Sequence, residues 1–506
     1  MFKYLISVIA LLLLILLINW LGSNPTSSYQ FIDQTHQFGL EKANCWFQQK
    51  QSLPDSECYF MHVPQNHQDH SQKVIKFPVV IFKSKTKTTK SPILHLGAGG
   101  PGASMYLDDD KSIDWLIQVH DDISINQGRD LIVVDPRGTG LAEPLLNCDV
   151  FIKNHRLRFQ KNLTVLQEYT ETDSDYKACF RNFKQQGVDF IYYNSMSFAE
   201  DMELLRKALN INKYNLIGVS YAAIYAQIMA MEHPETIESM ILDSAAFPHL
   251  KEHHNFLENL LAPYKSLFNY CEIDPNCDDK DEEIETKFWA LEKHLSLNPI
   301  TTIIDDPFEE GSLTIVLNGY RFVYAVIEGV YDEQIFVDLP KIIEELNQGN
   351  YETLKPYLNY LAWYYLDPKY SDISFYVHYC YETKAFSDYE LIRSLTNSLE
   401  DGFIKDMTLM DLNWPDYCPE LGVHGKDDRL ARKTETIIPT LFLQGTIDTI
   451  TPSRDVNLSA QSFKNHVIKE FELSHDILSS EVCAEYVASL FVANNKISKD
   501  QLVCKR

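Results

Sequence analysis

From about residue 76, short runs of β-branched and aromatic residues alternate with stretches whose apolar positions recur at helical spacing. The runs Phe77 to Phe82, Ile93 to Leu96, Leu131 to Val134, Tyr214 to Gly218, Met240 to Leu242 and Thr440 to Leu443 are bounded by Gly, Pro or Asp, and each predicts a buried strand. Between them, Ala199 to Leu209 and Ala222 to Glu232 carry the periodicity of helices. Strand, helix, strand in this order predicts an α/β fold: a mostly parallel sheet with helices on both faces and its functional groups at the carboxyl ends of the strands.

Between roughly 246 and 430 the alternation stops. Long helical patterns replace it, for example Leu339 to Leu346 and Tyr351 to Leu366, with an aromatic cluster at Trp363, Tyr364 and Tyr365. The strand pattern resumes near Ile438, so the middle reads as an insertion into one α/β domain. The expected division is an amino-terminal segment (1–23), a first part of the core (40–245), a helical cap (246–430) and a second part of the core (431–506). A chain of 506 residues exceeds the usual size of a single compact core, which fits a body with a large insertion.

Charge follows the same division. The formal net charge is −26, and residues 246–430 hold 35 acidic against 14 basic residues, so the insertion carries most of it. Such a polyanion repels a phosphate backbone, which excludes nucleic acid as an expected partner.

Lys3 precedes an uncharged apolar run, Tyr4 to Leu21, whose 18 residues would extend about 27 Å as a helix, close to the hydrocarbon thickness of a membrane. Gly22, Ser23 and Asn24 offer small residues without a clean A-x-A cleavage pattern, so an uncleaved membrane anchor and a removed signal both stay open. Either one leaves the body outside the cytoplasm, because the positive charge lies before the segment. Ten cysteines, none in a CxxC pair, agree with an oxidising compartment and give zinc no ligand spacing. Proximity in the chain suggests Cys45 with Cys58, Cys148 with Cys179, Cys271 with Cys277, Cys380 with Cys418 and Cys483 with Cys504.

Three strand-ending segments carry candidate chemistry. In Leu216-Ile217-Gly218-Val219-Ser220-Tyr221-Ala222-Ala223 a strand turns sharply into a helix with Ser220 at the apex, the form of a nucleophile elbow. The glycine-rich run Gly97-Ala98-Gly99-Gly100-Pro101-Gly102 follows the strand at Ile93, and its bare backbone lets a substrate carbonyl approach N–H donors. Gly100 and the N–H of Tyr221 are the expected oxyanion donors. A phosphate-binding loop is the rival reading, which Pro101 opposes by breaking the helix start that would receive the phosphate. The third segment, Gly445-Thr446-Ile447-Asp448-Thr449-Ile450-Thr451-Pro452, precedes a strand from Val467 to Phe471 and then His475. Ser, Asp, His in this chain order suits a triad in which the imidazole takes the serine proton and a carboxylate fixes its tautomer. Asp243, also at a strand end, is the competing acid. Asp135 and Arg137 read as a turn whose ion pair braces the glycine loop.

Together the GGPG loop, the Asp135-Pro136-Arg137-Gly138-Thr139-Gly140 turn, the Gly218-x-Ser220-Tyr221 elbow and the Gly445-Thr446-x-Asp448-x-x-Thr451-Pro452 loop resemble the tripeptidyl aminopeptidase and prolyl iminopeptidase branch of the α/β-hydrolase serine peptidases. Cys45-Trp46 and Cys58 ahead of Val63-Pro64 are similar to the start of the secreted tripeptidyl aminopeptidase type, and the residues after about 400 to its C-terminal portion. The resemblance implies Ser220, Asp448 and His475 as the triad beneath a helical cap. It departs from the pattern at Ala98, which is His in iminopeptidases, and at Ala222, usually Gly, departures that bear on proline selectivity more than on hydrolysis.

The expected function is therefore that of a serine exopeptidase releasing N-terminal residues or short peptides, with peptides bearing a free amino end as partners and no metal or organic cofactor implied. A carboxylesterase on the same fold is the alternative, and a non-catalytic binding module the remote one.

Overall fold

The computed structural model describes residues 29–32, 37–69, 73–86, 89–251, 253–269, 281–328, 334–425 and 427–503. The expected amino-terminal anchor or signal lies outside the described residues, as do Cys271, Cys277 and Cys504.

A nine-stranded sheet organises the molecule. Its strands are β1 (Gly39–Ala43), β2 (Ser56–Pro64), β3 (Val74–Phe82), β4 (Ile93–His95), β5 (Leu131–Val134), β6 (Tyr214–Val219), β7 (Ile237–Asp243), β10 (Thr440–Gly445) and β11 (His466–Phe471), in the spatial order β1-β2-β3-β5-β4-β6-β7-β10-β11. The strands from β5 to β11 run parallel, and β1, β2 and β3 add an antiparallel edge. Each predicted strand is present. The edge strands β1 and β2 are additions to the sequence reading, which began at residue 76.

Alternation along the strands buries both faces. Phe77, Val79 and Ile81 of β3 join one hydrophobic cluster with the helix Ala222–Glu232, whereas Val80 and Phe82 join a second with the helices Asp110–His120 and Val482–Asn494. The helix Ala222–Glu232 is apolar almost all round, as a helix packed on the sheet beneath other elements must be.

The insertion is largely helical, as expected, and adds a hairpin that the sequence reading did not include. Between its helices lies an antiparallel hairpin, β8 (Ile300–Asp305) and β9 (Ser312–Leu317), whose alternate residues Leu313, Ile315 and Leu317 are buried. That period of two marks a half-buried strand, and the hairpin packs with Phe288, Phe322 and Leu358 into a core belonging to the insertion itself.

Among the described residues, disulfides join the sequential pairs Cys45–Cys58, Cys148–Cys179 and Cys380–Cys418. Among the described residues no helix is long and apolar enough to cross a membrane.

Candidate active site

Ser220 stands between β6 and the helix Ala222–Glu232 with φ +55°, a left-handed conformation that costs a residue with a Cβ about 1–3 kcal/mol. Its neighbours hold it there. The Ser220 N–H donates to the Asp243 carbonyl at 2.9 Å, and its own carbonyl accepts from Ala223 at 3.1 Å and Ala246 at 3.2 Å. A Cβ on Gly218 would come within 2.8 Å of the Ala222 carbonyl oxygen and 2.9 Å of the Ala223 Cα, so the strand-to-helix approach demands glycine there.

The glycine loop reaches the serine at Gly99, where a Cβ would lie 3.2 Å from the Ser220 Cβ and 3.7 Å from its Oγ. Gly100 follows at φ +112°, tightly folded over the amide nitrogens of Gly102 and Ala103. Beneath the loop, the buried Asp135 carboxylate accepts from the N–H of Met105 at 2.6 Å and of Leu141 at 3.2 Å. Burial pushes its pKa up to about 6 despite these bonds. The expected Asp135–Arg137 ion pair is not formed. Arg137 pairs instead with Asp201, its Nε at 2.7 Å from Oδ2, and donates to the carbonyls of Gln65 and Tyr192. Of the two, Asp135 alone holds the chain just past the glycine loop, at Met105.

Asp448 and His475 emerge from β10 and β11, parallel neighbours whose loops come out side by side. Gly445 makes this possible, since a Cβ there would collide with the carbonyls of Leu473 and Ser474. His475 Nδ1 lies 2.9 Å from Asp448 Oδ2. Asp448 Oδ1 accepts from the N–H of Ile450 at 2.8 Å and of Thr451 at 2.9 Å, and the Thr451 hydroxyl donates to Oδ2 at 2.7 Å. Burial opposes the Asp448 charge, but the hydrogen bond and charge of His475, with the bonds from Thr451, hold its pKa below the ordinary carboxylate range. Burial likewise opposes a charged imidazole, and the bond and charge of Asp448, with the charges of Asp243 and Asp476, raise His475 above its ordinary value.

Asp243, the competing acid, points to backbone rather than to imidazole. Its carboxylate accepts from the N–H of Ile477 at 3.1 Å and of Leu478 at 2.7 Å, so it secures the chain just after His475. Burial, reinforced by the charge of Asp476, pushes its pKa up to about 7.

Tyr221 is anchored from the cap, in a contact for which the sequence offered no local signal. Its hydroxyl donates to Glu382 Oε2, while Glu382 Oε1 accepts from the N–H of Ser195 at 3.2 Å and the Glu382 carbonyl accepts from Lys251 Nζ at 2.7 Å. Two acids that follow the strand ending at Asp243 could meet an incoming amine: Glu258 is paired with Arg454 at 2.6 Å, and Glu252 lies outside the described residues. The aromatic cluster splits: Tyr365 stacks on His155 at 4.3 Å, Trp363 lies against Tyr106 at 5.9 Å, and Tyr364 against Tyr370 at 5.9 Å. A cleft of about 1400 Å³ lined by Lys213, Ile237 and Pro439 sits at the amino-terminal ends of β6, β7 and β10, the opposite end of the sheet from Ser220. Among the described residues no group of three or more His, Cys, Asp or Glu side chains is arranged to hold a metal ion.

Residues 99–279 match a family described as alpha/beta hydrolase fold, and residues 408–504 match one described as TAP-like protein. Over 272 residues the chain is 23% identical to the YuaR protein of Escherichia coli (strain K12), covering 51% of each. It is 27% identical over 160 residues to the serine protease Hip1 of Mycobacterium tuberculosis (strain ATCC 25618 / H37Rv), covering 31% of this chain and 29% of that one. It is 25% identical over 209 residues to the tripeptidyl aminopeptidase of Streptomyces lividans, covering 38% and 36% respectively. The matched segments thus span about half the length of the first relative and under two fifths of the other two.

Proposed function

We propose that this chain, whose residues 99–279 match the alpha/beta hydrolase fold family and whose residues 408–504 match the TAP-like one, is an exported serine exopeptidase that releases N-terminal residues or short peptides through an acyl-enzyme. The observation that carries this reading is the 2.9 Å bond from His475 Nδ1 to Asp448, two strands along the sheet from the constrained elbow of Ser220. Relatives named serine protease and tripeptidyl aminopeptidase support the same chemistry.

In this mechanism Ser220 Oγ attacks the scissile carbonyl while His475 Nε2 takes its proton. Asp448 keeps the other ring proton on Nδ1 and stabilises the imidazolium. The N–H groups of Gly100 and Tyr221 receive the oxyanion, and Glu382 steadies Tyr221 from the cap. His475 then passes its proton to the leaving amine, and water releases the acyl group by the same steps in reverse. The three disulfides support action in an oxidising compartment.

Recognition of a free amino end is the part of the reading that separates it from an esterase. Acetylating the amino end of a peptide substrate is expected to cut kcat/KM at least ~10-fold, about 1.4 kcal/mol of lost interaction, and added salt to weaken the preference. Equal cleavage of free and blocked peptides would replace the exopeptidase with an endopeptidase or a carboxylesterase.

A further inference from the structure

Between the cap and the core helix Val165–Gln185, rings including Tyr176, Tyr364, Tyr370, Tyr376 and Trp414 surround a cavity of about 140 Å³ that Glu168 and Asp372 also line. The two carboxylates differ. Glu168 is neutralised by Arg321, whose guanidinium lies 2.9 Å from Oε2, and nearby Arg158 is spent on Asp175 at 2.6 Å. His155 adds no charge, because burial lowers its pKa well below the ordinary value. Asp372 forms no ion pair among the described residues; its carboxylate meets the Tyr176 hydroxyl and its own backbone N–H, and burial pushes its pKa up to about 7 despite them. Ser371 already caps the helix Asp372–His378 with its side chain, so that helix does not need a buried acid at its start.

A desolvated carboxylate without a counter-charge is costly, and aromatic faces carry partial negative charge, so the pocket's electrostatics call for a cation with an apolar body. Its position ties it to the reaction. The Ser371 N–H donates to the Gly102 carbonyl at 2.9 Å and the Tyr370 hydroxyl to the Pro101 carbonyl at 3.2 Å, which ties the pocket wall at Tyr370 and the start of the Asp372 helix to the glycine loop. From Asp372 the helix rises about 9 Å to His378, whose ring meets that of Tyr221 at 5.5 Å. The pocket is thus removed from the acyl position but connected to it.

We infer that this cavity is a subsite for an alkylammonium group, held between the Asp372 carboxylate and the aromatic faces. Its role in peptide cleavage rests on the exopeptidase reading, whereas its ability to bind the cation does not. The ammonium has two possible sources, the substrate's amino end or a lysine side chain.

The test separates these points. Titrating n-propylammonium chloride into the full chain, followed by calorimetry, should show saturable binding; 1-propanol should show none, and Asp372→Asn should weaken the ammonium at least ~10-fold. A wild-type protein that treats amine and alcohol alike overturns the subsite without recourse to any variant. So does an unchanged Kd in an Asp372→Asn protein of normal thermal stability. Peptides with a free amino end, acetylated peptides containing lysine and acetylated peptides containing norleucine then identify the source, by which ammonium loses its advantage in Asp372→Asn. Ammonium binding without cleavage of any peptide would sink the exopeptidase and leave the subsite standing.

Discussion

The two parts of the site hold buried acids in opposite states. At the carboxyl ends of β10 and β11, Asp448 faces an imidazole and three donors and stays below the ordinary carboxylate range; in the cap, Asp372 meets a hydroxyl, its own backbone N–H and aromatic rings, and rises to about 7. Both are largely withdrawn from water, so burial alone does not set the charge. The partner does. The sheet supplies its partner permanently because adjacent strands fix where the loops emerge, whereas in the proposed subsite the partner would arrive with the ligand.

If the sheet end is the chemical part, its residues should outweigh every cap residue. Ser220→Ala is expected to reduce kcat by on the order of 10⁶ and to abolish labelling by a fluorophosphonate; labelling at the wild-type rate would remove Ser220 from the mechanism. Asp448→Asn should lower kcat by about 10⁴ through the wrong imidazole tautomer. Asp243→Asn, by contrast, should chiefly cost stability, about 1–3 kcal/mol in denaturant melts, because its bonds go to Ile477 and Leu478. A larger kcat loss for Asp243→Asn than for Asp448→Asn would exchange their roles.

Smaller effects probe how the cap is held. Replacing both cysteines of Cys380–Cys418 should destabilise the protein by about 4 kcal/mol, and of Cys45–Cys58 by about 3 kcal/mol, the difference following loop length. Glu382→Gln removes a charged acceptor from Tyr221 and Ser195, at an expected cost of about 1.5–3 kcal/mol. Retention of full stability in that variant would loosen the connection drawn between cap and elbow.

The smallest effect is one of pH. His475 must be neutral to accept the serine proton, and its pKa is raised, so activity should fall with decreasing pH through a midpoint above the ordinary imidazole value of 6.5. In Asp448→Asn the residual activity should lose its acidic limb to lower pH, since the bond and charge that raise His475 are gone. An unchanged midpoint would mean that other carboxylates control the imidazole.

What the sequence determined by itself is local. The strands from β3 onward, the helix Ala222–Glu232, the elbow at Ser220 and the loops bearing Asp448 and His475 were legible because period, small residues and strand-end position are properties of short segments. The sequential pairs Cys45–Cys58, Cys148–Cys179 and Cys380–Cys418 were legible for the same reason. What only the tertiary structure decided is partnership across distance: Arg137 with Asp201 instead of Asp135, Asp243 with the backbone after His475, Glu382 with Tyr221, and Asp372 with rings drawn from several elements. The hairpin β8–β9 belongs with these, since its alternate apolar residues became a buried face only once the helices of the insertion closed over them. A short segment restricts its own backbone through sterics and hydrogen bonding, but a side chain's charge and contacts depend on whichever surface the fold brings against it.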